Sequence, residues 1–217
     1  MKGKFIVIDG TDGSGKATQS KLTVERFKEK GYKVKTIDFP QYGKKSAGLI
    51  EEYLSGKYGL AEDVGPYRAS IFYACDRYNA GFEIKKWLEE GNIVIADRYV
   101  TSNMGHQGGK IADLEERKKY FEWLYDLEYE VFKIPKPDLS LILRVPVEIS
   151  QKLIEKRGNK KDIHEDDLNH LKKAEKVYFE LAKMFSNIKL IECARDNEIM
   201  KIEEINDMLW EEIKKYL

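Results

Sequence analysis

The chain of 217 residues carries 38 Lys+Arg against 38 Asp+Glu, a formal net charge of zero. Such a length suits one domain with a real core, and the balanced charge argues against a polynucleotide partner, which goes with a basic excess or stripe. The two cysteines, Cys75 and Cys193, have neither metal-ligand nor disulfide spacing and read as reduced core thiols of a cytoplasmic protein, while the apolar run at 5–8 ends at Asp9, too short for a signal peptide or a membrane span.

Apolar, β-branched runs at 4–9, 33–38, 93–96, 139–145 and 188–192 alternate with helical patterns. This is the signature of βαβ units and a parallel sheet covered on both faces. The first run leads into Gly10-Thr11-Asp12-Gly13-Ser14-Gly15-Lys16-Ala17-Thr18. Strand, glycine-rich turn and helix in that order make a phosphate-cradling P-loop. Gly10, Gly13 and Gly15 let the backbone take positive φ and approach a phosphate. Backbone N–H groups at the helix start and the Lys16 ammonium then face the anion, so residues 10–18 are expected to bind ATP. Ala17 stands where a Ser or Thr hydroxyl normally meets Mg²⁺, so the metal must draw on phosphates, waters and acids, with Asp12 the nearest acid. Thr18 lies about 100° further round the helix and is expected to face the donor's α-phosphate instead.

The P-loop helix should end near Lys30, stopped by Gly31. Further helices are expected over 46–56, from Pro66 (a favoured first-turn residue) to Gly91, and over 113–131, 146–157, 165–185 and 198–216. The strand Ile93–Ala96 ends in Asp97, whose carboxylate should sit beside the P-loop and hold the metal. Arg98 follows at the carboxyl edge of the sheet, where ligands bind in open α/β folds, and reads as a phosphate clamp. The most polar stretch, 155–167, reads either as a solvated loop or as a flap that brings cations onto phosphates.

The segment Asp97 to Gln107, Asp-Arg-Tyr-Val-Thr-Ser-Asn-Met-Gly-His-Gln, resembles the substrate loop of the thymidylate kinase family. Phe39-Pro-Gln-Tyr-Gly43 resembles the family's Phe-Pro segment, and Tyr73-Ala-Cys-Asp-Arg77 its aromatic-x-x-x-Arg helix motif. Pro135-Lys-Pro-Asp138 with Leu139 to Pro146 resembles its fourth strand, and Asp162-Ile-His-Glu165 the Asp-x-x-Glu of its flap. The matches span the chain in the family's order. The resemblance implies a single P-loop nucleotide kinase domain over 1–217 with a flap at about 155–167, a three-layer α/β architecture with parallel sheet order 2-3-1-4-5, and a homodimer.

The resemblance also implies roles. Tyr73 and Arg77, four apart, share a helix face, so a ring can stack on a pyrimidine while the guanidinium donates to its O4. The family usually has Phe where Tyr73 stands, which makes Phe72 a second candidate. Asn103 is implied to read the base edge and His106 to crowd the ribose 2′ position, with Phe39, Tyr42, Ser102 and Gln107 completing the acceptor site. An arginine often precedes the Phe-Pro; here it is Asp38, so one phosphate contact is expected to be missing. Arg98 and Asp12 would organise the acceptor phosphate with Mg²⁺, whose protein ligands are expected among Asp12, Asp97 and Glu165. Of the cations Lys152, Lys156, Arg157, Lys160 and Lys161 in or near the flap, Arg157 is expected to span donor and acceptor phosphates.

The implied activity is transfer of the γ-phosphoryl of ATP to dTMP. The alternatives are a kinase for another nucleoside monophosphate or a deoxynucleoside on the same fold, or a binding module without chemistry. A guanine-reading switch is disfavoured. Asn159-Lys-Lys-Asp162 fits its tetrapeptide by letters, but it follows a helical pattern rather than a strand.

Overall fold

A computed structural model describes residues 3–157 and 168–217, with the side chains of 155–157 left aside. Strand β1 (Lys4–Gly10) leads through the P-loop into α1 (Lys16–Glu29) and β2 (Val34–Asp38). A 3-10 turn at Lys45–Ala47 and α2 (Gly48–Leu54) precede α3 (Ala61–Glu89), β3 (Ile93–Asp97), α4 (Val100–Gly108) and α5 (Leu114–Tyr125). Then come a π-helical turn (Asp126–Val131), β4 (Leu139–Arg144), α6 (Val147–Arg157), α7 (Leu168–Met184) and β5 (Ile188–Glu192). A two-stranded hairpin, β6 (Ala194–Arg195) with β7 (Glu198–Ile199), and α8 (Ile202–Lys214) complete the chain.

The five long strands form one parallel sheet in the order β2-β3-β1-β4-β5, with β1 at the centre. Alternation along β1 explains the two covering layers, since successive side chains of a strand point to opposite faces. Phe5 and Val7 pack with Tyr99, just before α4, and with Ile84, Met104, Tyr120 and Val177 from α3, α4, α5 and α7. Ile6 and Ile8 pack with Phe27 of α1 and Ile205, Leu209 and Trp210 of α8. Among the described residues no helix is long and apolar enough to cross a membrane, and both cysteines are free, Cys193 buried but Cys75 only half-buried rather than in the core.

Register brings the chemistry to one edge. Asp97 pairs with Ile8 on one side and with Asp38 on the other, so the carboxyl ends of β1, β2 and β3 lie level beside the P-loop.

Four local expectations are corrected. The segment after Asp97, read as a substrate loop, is the helix α4, and eight of its nine residues are buried. Ser, Thr, Asn and Gly are weak helix formers because their side chains compete for backbone groups or their backbone is too free. Packing against neighbouring helices overrides that preference. The long helix begins at Ala61 rather than Pro66, with Asp63 bonded to the Leu60 N–H and a break at Gly65 (φ 73°), so Pro66 opens its second part. The pattern 113–131 divides into α5 and the π turn, and the hairpin β6–β7 takes the start of what was expected as one helix over 198–216.

Helices α4 and α7 approach closely at Gly105, where an added Cβ would stand 2.7 Å from Cζ of Tyr178. Overpacking of this kind costs about 1–3 kcal/mol. Gly105→Ala should therefore lower the thermal midpoint measured by calorimetry by several degrees; an unchanged midpoint would show that the two helices have room to separate.

Candidate active site

The P-loop is built by two constraints on its backbone. Gly15 caps α1 in the left-handed region (φ 86°), and Gly13, also at positive φ (78°), lies so close to α6 that a Cβ would meet the Ser150 carbonyl at 2.5 Å. Side chains are excluded where a phosphate would sit. Lys16, 8% exposed, donates to the Thr11 carbonyl at 2.8 Å and stands 3.8 Å from the Asp12 carboxylate. Burial, and then repulsion from Arg98, push its pKa down against the pull of Asp12, Asp97 and Asp9. The buried Ser14 hydroxyl has no partner among the described residues, an unsatisfied donor inside the loop. Ala17 and Thr18 are exposed on the first turn of α1.

Beside the loop, Arg98 occupies a left-handed backbone conformation (φ 67°) that side-chain-bearing residues rarely take. Its guanidinium is held from three sides: the Asp12 carboxylate, the Ser102 hydroxyl at 3.4 Å and His106 Nε2 at 3.3 Å. Burial alone would lower its pKa, but the Asp12 carboxylate, with Tyr178, Asp9 and Asp97, holds it above the ordinary arginine value. The Asp97 carboxyl is pushed up by burial and by neighbouring Asp38 and Asp9, and drawn down by Lys16 and Arg98. It opens onto a groove along α1 shared with Ala17, Ser20 and Asp38, not onto the cleft described next.

That cleft, about 620 Å³ with its solvent-open mouth included, lies between α3, α4 and the turn after β2. Asp12 and Arg98 line its phosphate end. Tyr73, Arg77, Asn103 and Gln107 line it further on, with Phe39 and Tyr42 from the turn and Ser102 and His106 from α4. Phe72 is not brought to it; its ring packs on Tyr53 and Tyr58. Of the two aromatic candidates, Tyr73 is the one at the cleft. Arg157's side chain, Glu165 and the flap lie outside the described residues.

Several residues that organise the cleft escaped sequence reasoning. Arg77, 2% exposed, gives both Nε and Nη2 to Oε1 of Glu128, which the π turn carries and which is fully buried. Asp76 accepts from the Gln41 backbone N–H (2.8 Å) and the Ser46 hydroxyl (2.7 Å), fixing the turn that carries Phe39 and Tyr42. Asn103 bonds Ser70, whose hydroxyl meets Tyr120 Oη at 2.8 Å. Asp9, at the end of β1, accepts from the Gly10 N–H, the Ser102 and Thr101 hydroxyls and Tyr178 Oη. The buried side-chain amide oxygen of Gln107 has no partner among the described residues.

Among the described residues no three His, Cys, Asp or Glu side chains cluster to cage a metal. The acids near the P-loop, Asp12 and Asp97, are hard oxygen donors whose charges both act on Lys16. Such a set suits Mg²⁺, which is commonly bound by one or two carboxylates plus substrate phosphates and water.

Comparison with known proteins agrees with this geometry. The family model described as thymidylate kinase matches residues 8–204. A probable thymidylate kinase of Thermococcus onnurineus is 34% identical over 210 residues, covering 94% of this chain and 93% of its own. The thymidylate kinase of Mycobacterium tuberculosis H37Rv is 32% identical over 185 residues, covering 82% and 85%. The solved structure of thymidylate kinase from Candida albicans superposes with a TM-score of 0.78 over 99% of this chain and 92% of that one, at 22% identity, which speaks to the fold. With its P-loop, its five-stranded sheet and these relatives along nearly its whole length, the chain belongs to the thymidylate kinase family.

Proposed function

We propose that the protein moves the γ-phosphoryl of ATP onto dTMP, giving dTDP, with Mg²⁺ as the metal, as one kinase domain over 1–217. One observation carries the reading: Asp12 belongs to the P-loop, grips Arg98 and lines the acceptor cleft, so donor and acceptor phosphates converge on the same two side chains. Transfer of this kind needs little covalent help; positioning and charge stabilisation supply the catalysis. The loop amides and Lys16 hold the donor phosphates, with Gly10, Thr11, Ser14 and Thr18 completing the loop. Arg98 holds the acceptor phosphate. Asp12 and Asp97 would hold Mg²⁺, with Glu165 as a further acid, and the ion would supply positive charge to neutralise the phosphates. Arg157 is assigned to the transferring phosphoryl.

Base choice rests on α3. Tyr73 offers a face for stacking, and with Nε and Nη2 committed to Glu128, the Nη1 side of Arg77 is the edge that remains for a base carbonyl. Asn103 and Gln107 supply further polar contacts, and His106 crowds the ribose. The homodimer is supported by α3's outer face. Tyr67, Ile71, Tyr78 and Phe82 lie there at helical spacing and are 40%, 42%, 44% and 62% exposed, an apolar stripe that a second copy would cover. Two free thiols suit the cytoplasm, where ATP is at hand.

A panel of nucleoside monophosphates with ATP and Mg²⁺ tests the activity. Arginine donates only, so it satisfies O4 of thymine but not the exocyclic amine of cytosine. A mismatched buried polar group costs about 1–3 kcal/mol, so dTMP should exceed dCMP in kcat/KM by roughly five- to a hundredfold. Equal use of the two, or preference for a nucleoside, would overturn the assignment. Arg77→Ala should raise the KM for dTMP while leaving that for ATP nearly unchanged.

Glu128→Gln leaves the buried Arg77 without its counter-charge. Breaking a buried pair from one side costs about 3–5 kcal/mol, and less where the amide keeps a hydrogen bond. The urea midpoint should fall clearly, and the KM for dTMP should rise; a midpoint equal to the parent's would show that Glu128 is not what neutralises Arg77. Phe82→Asp should shift the protein from dimer to monomer in sedimentation velocity, and a parent that sediments as a monomer would refute the dimer.

A further inference from the structure

Arg98 is gripped by His106, and His106 is gripped in turn by a residue that no base or phosphate contact explains. The His106 Nδ1 lies 3.1 Å from Nε2 of His170, near the start of α7, and the two imidazoles lie nearly parallel with centroids 5.3 Å apart. His170 is 6% exposed and His106 is 8% exposed. The direction of these contacts follows from donor chemistry. A guanidinium has only N–H donors, so the His106 Nε2 facing Arg98 at 3.3 Å must be the unprotonated, accepting nitrogen. A neutral His106 with a bare Nε2 carries its proton on Nδ1, and that proton points at His170 Nε2. His170 is then the acceptor, its own proton on Nδ1. The chain reads Arg98 N–H to His106 Nε2, then His106 Nδ1–H to His170 Nε2.

We propose that His170 is a positioning residue of the acceptor site: by accepting from Nδ1 it fixes the tautomer of His106, and that tautomer fixes the Arg98 guanidinium toward the acceptor phosphate. Which ring nitrogen carries the proton is set by the hydrogen bond the other makes, and a free imidazole has no need to favour the Nδ1–H form. Without His170, a proton on Nε2 would confront the Arg98 N–H groups, and the third grip on the guanidinium would become a repulsion. Groups facing the pair come from three directions. Arg98 stands at Nε2 with Asp12 on its far side, Ser102 shares the α4 face, and the Tyr178 ring of α7 meets His106 edge-on while its hydroxyl bonds Asp9. Among the described residues the neighbouring charges are Arg98, Asp12 and Asp9, with Asp12 bonded to Arg98 and Asp9 to Tyr178.

The proposal rests on Arg98 binding the acceptor, so its test joins a spectroscopic readout to a kinetic one. In ¹⁵N-labelled full-length protein at pH 8 without nucleotide, His106 should show a protonated Nδ1 and a bare Nε2. In His170→Phe, which keeps a ring but has no acceptor, that signature should give way to Nε2–H, and the KM for dTMP should rise about tenfold, as for loss of a hydrogen bond to a charged group, with the KM for ATP within twofold. His170→Gln, whose amide oxygen can accept from Nδ1–H, should restore the tautomer and most of the dTMP affinity. Circular dichroism identifies a variant that fails to fold, in which case the parent's spectrum and the Gln variant decide. An Nε2–H signature in the parent, or equal kinetic losses in the Phe and Gln variants, would overturn the proposal. A parent with the expected tautomer but no transfer to dTMP would instead refute the activity.

Discussion

A fully buried carboxylate at the end of the central strand holds the reacting edge together. Asp9 accepts from the Gly10 N–H at 2.8 Å, from Ser102 at 2.6 Å, from Tyr178 at 3.1 Å and from the Thr101 hydroxyl. These four donors come from the P-loop, from α4 and from α7, so one side chain ties the P-loop to α4, which lines the cleft, and to α7, which packs against α4. Burying a carboxyl is costly unless its oxygens are satisfied. Displacing α4 would strand Oδ2, whose donor is the Thr101 hydroxyl, whereas Oδ1 is shared by Gly10, Ser102 and Tyr178 and so joins all three elements at one atom.

From that hub the site divides into a rigid half and an organised half. The rigid half is backbone: the sheet register sets Asp97 level with Ile8, and Gly13 of the P-loop lies against α6 where no side chain fits. The organised half consists of side chains that hold other side chains. Asp12 holds Arg98, Glu128 holds Arg77, Asp76 holds the turn after β2, and Ser70 holds Asn103. Arginine is a long, rotamer-rich side chain, and fixing it ahead of binding removes an ordering cost that the ligand would otherwise bear.

The rigid half was legible in the sequence, and the organised half was largely not. The strands, the P-loop and the sheet order follow from apolar runs, glycine spacing and a family likeness, and nine of the ten acceptor residues named from motifs line the cleft, Phe72 being the exception. The holders were invisible for a physical reason. Glu128 is 51 positions from Arg77, and Tyr178 is 169 from Asp9. A lone Glu or Tyr in a helical stretch carries no local mark of a distant partner. Helix α4 was misread because propensity speaks for single residues, whereas its stability comes from burying eight of nine. A weak signal did exist for Asp9, an acid near the end of an apolar strand just before a glycine, as Asp97 is an acid at the end of another.

The backbone of Arg98 has a consequence for how this site can drift. At φ 67° a residue with a Cβ pays for its conformation, and glycine would not. Selection for stability alone therefore pulls this position toward glycine, the one replacement that relaxes the chain, while only the guanidinium pulls the other way. A descendant released from its chemistry would have an easy downhill step open to it here. Loss of arginine at this position, without other damage to the fold, would be the first trace of a kinase turning into a silent nucleotide binder.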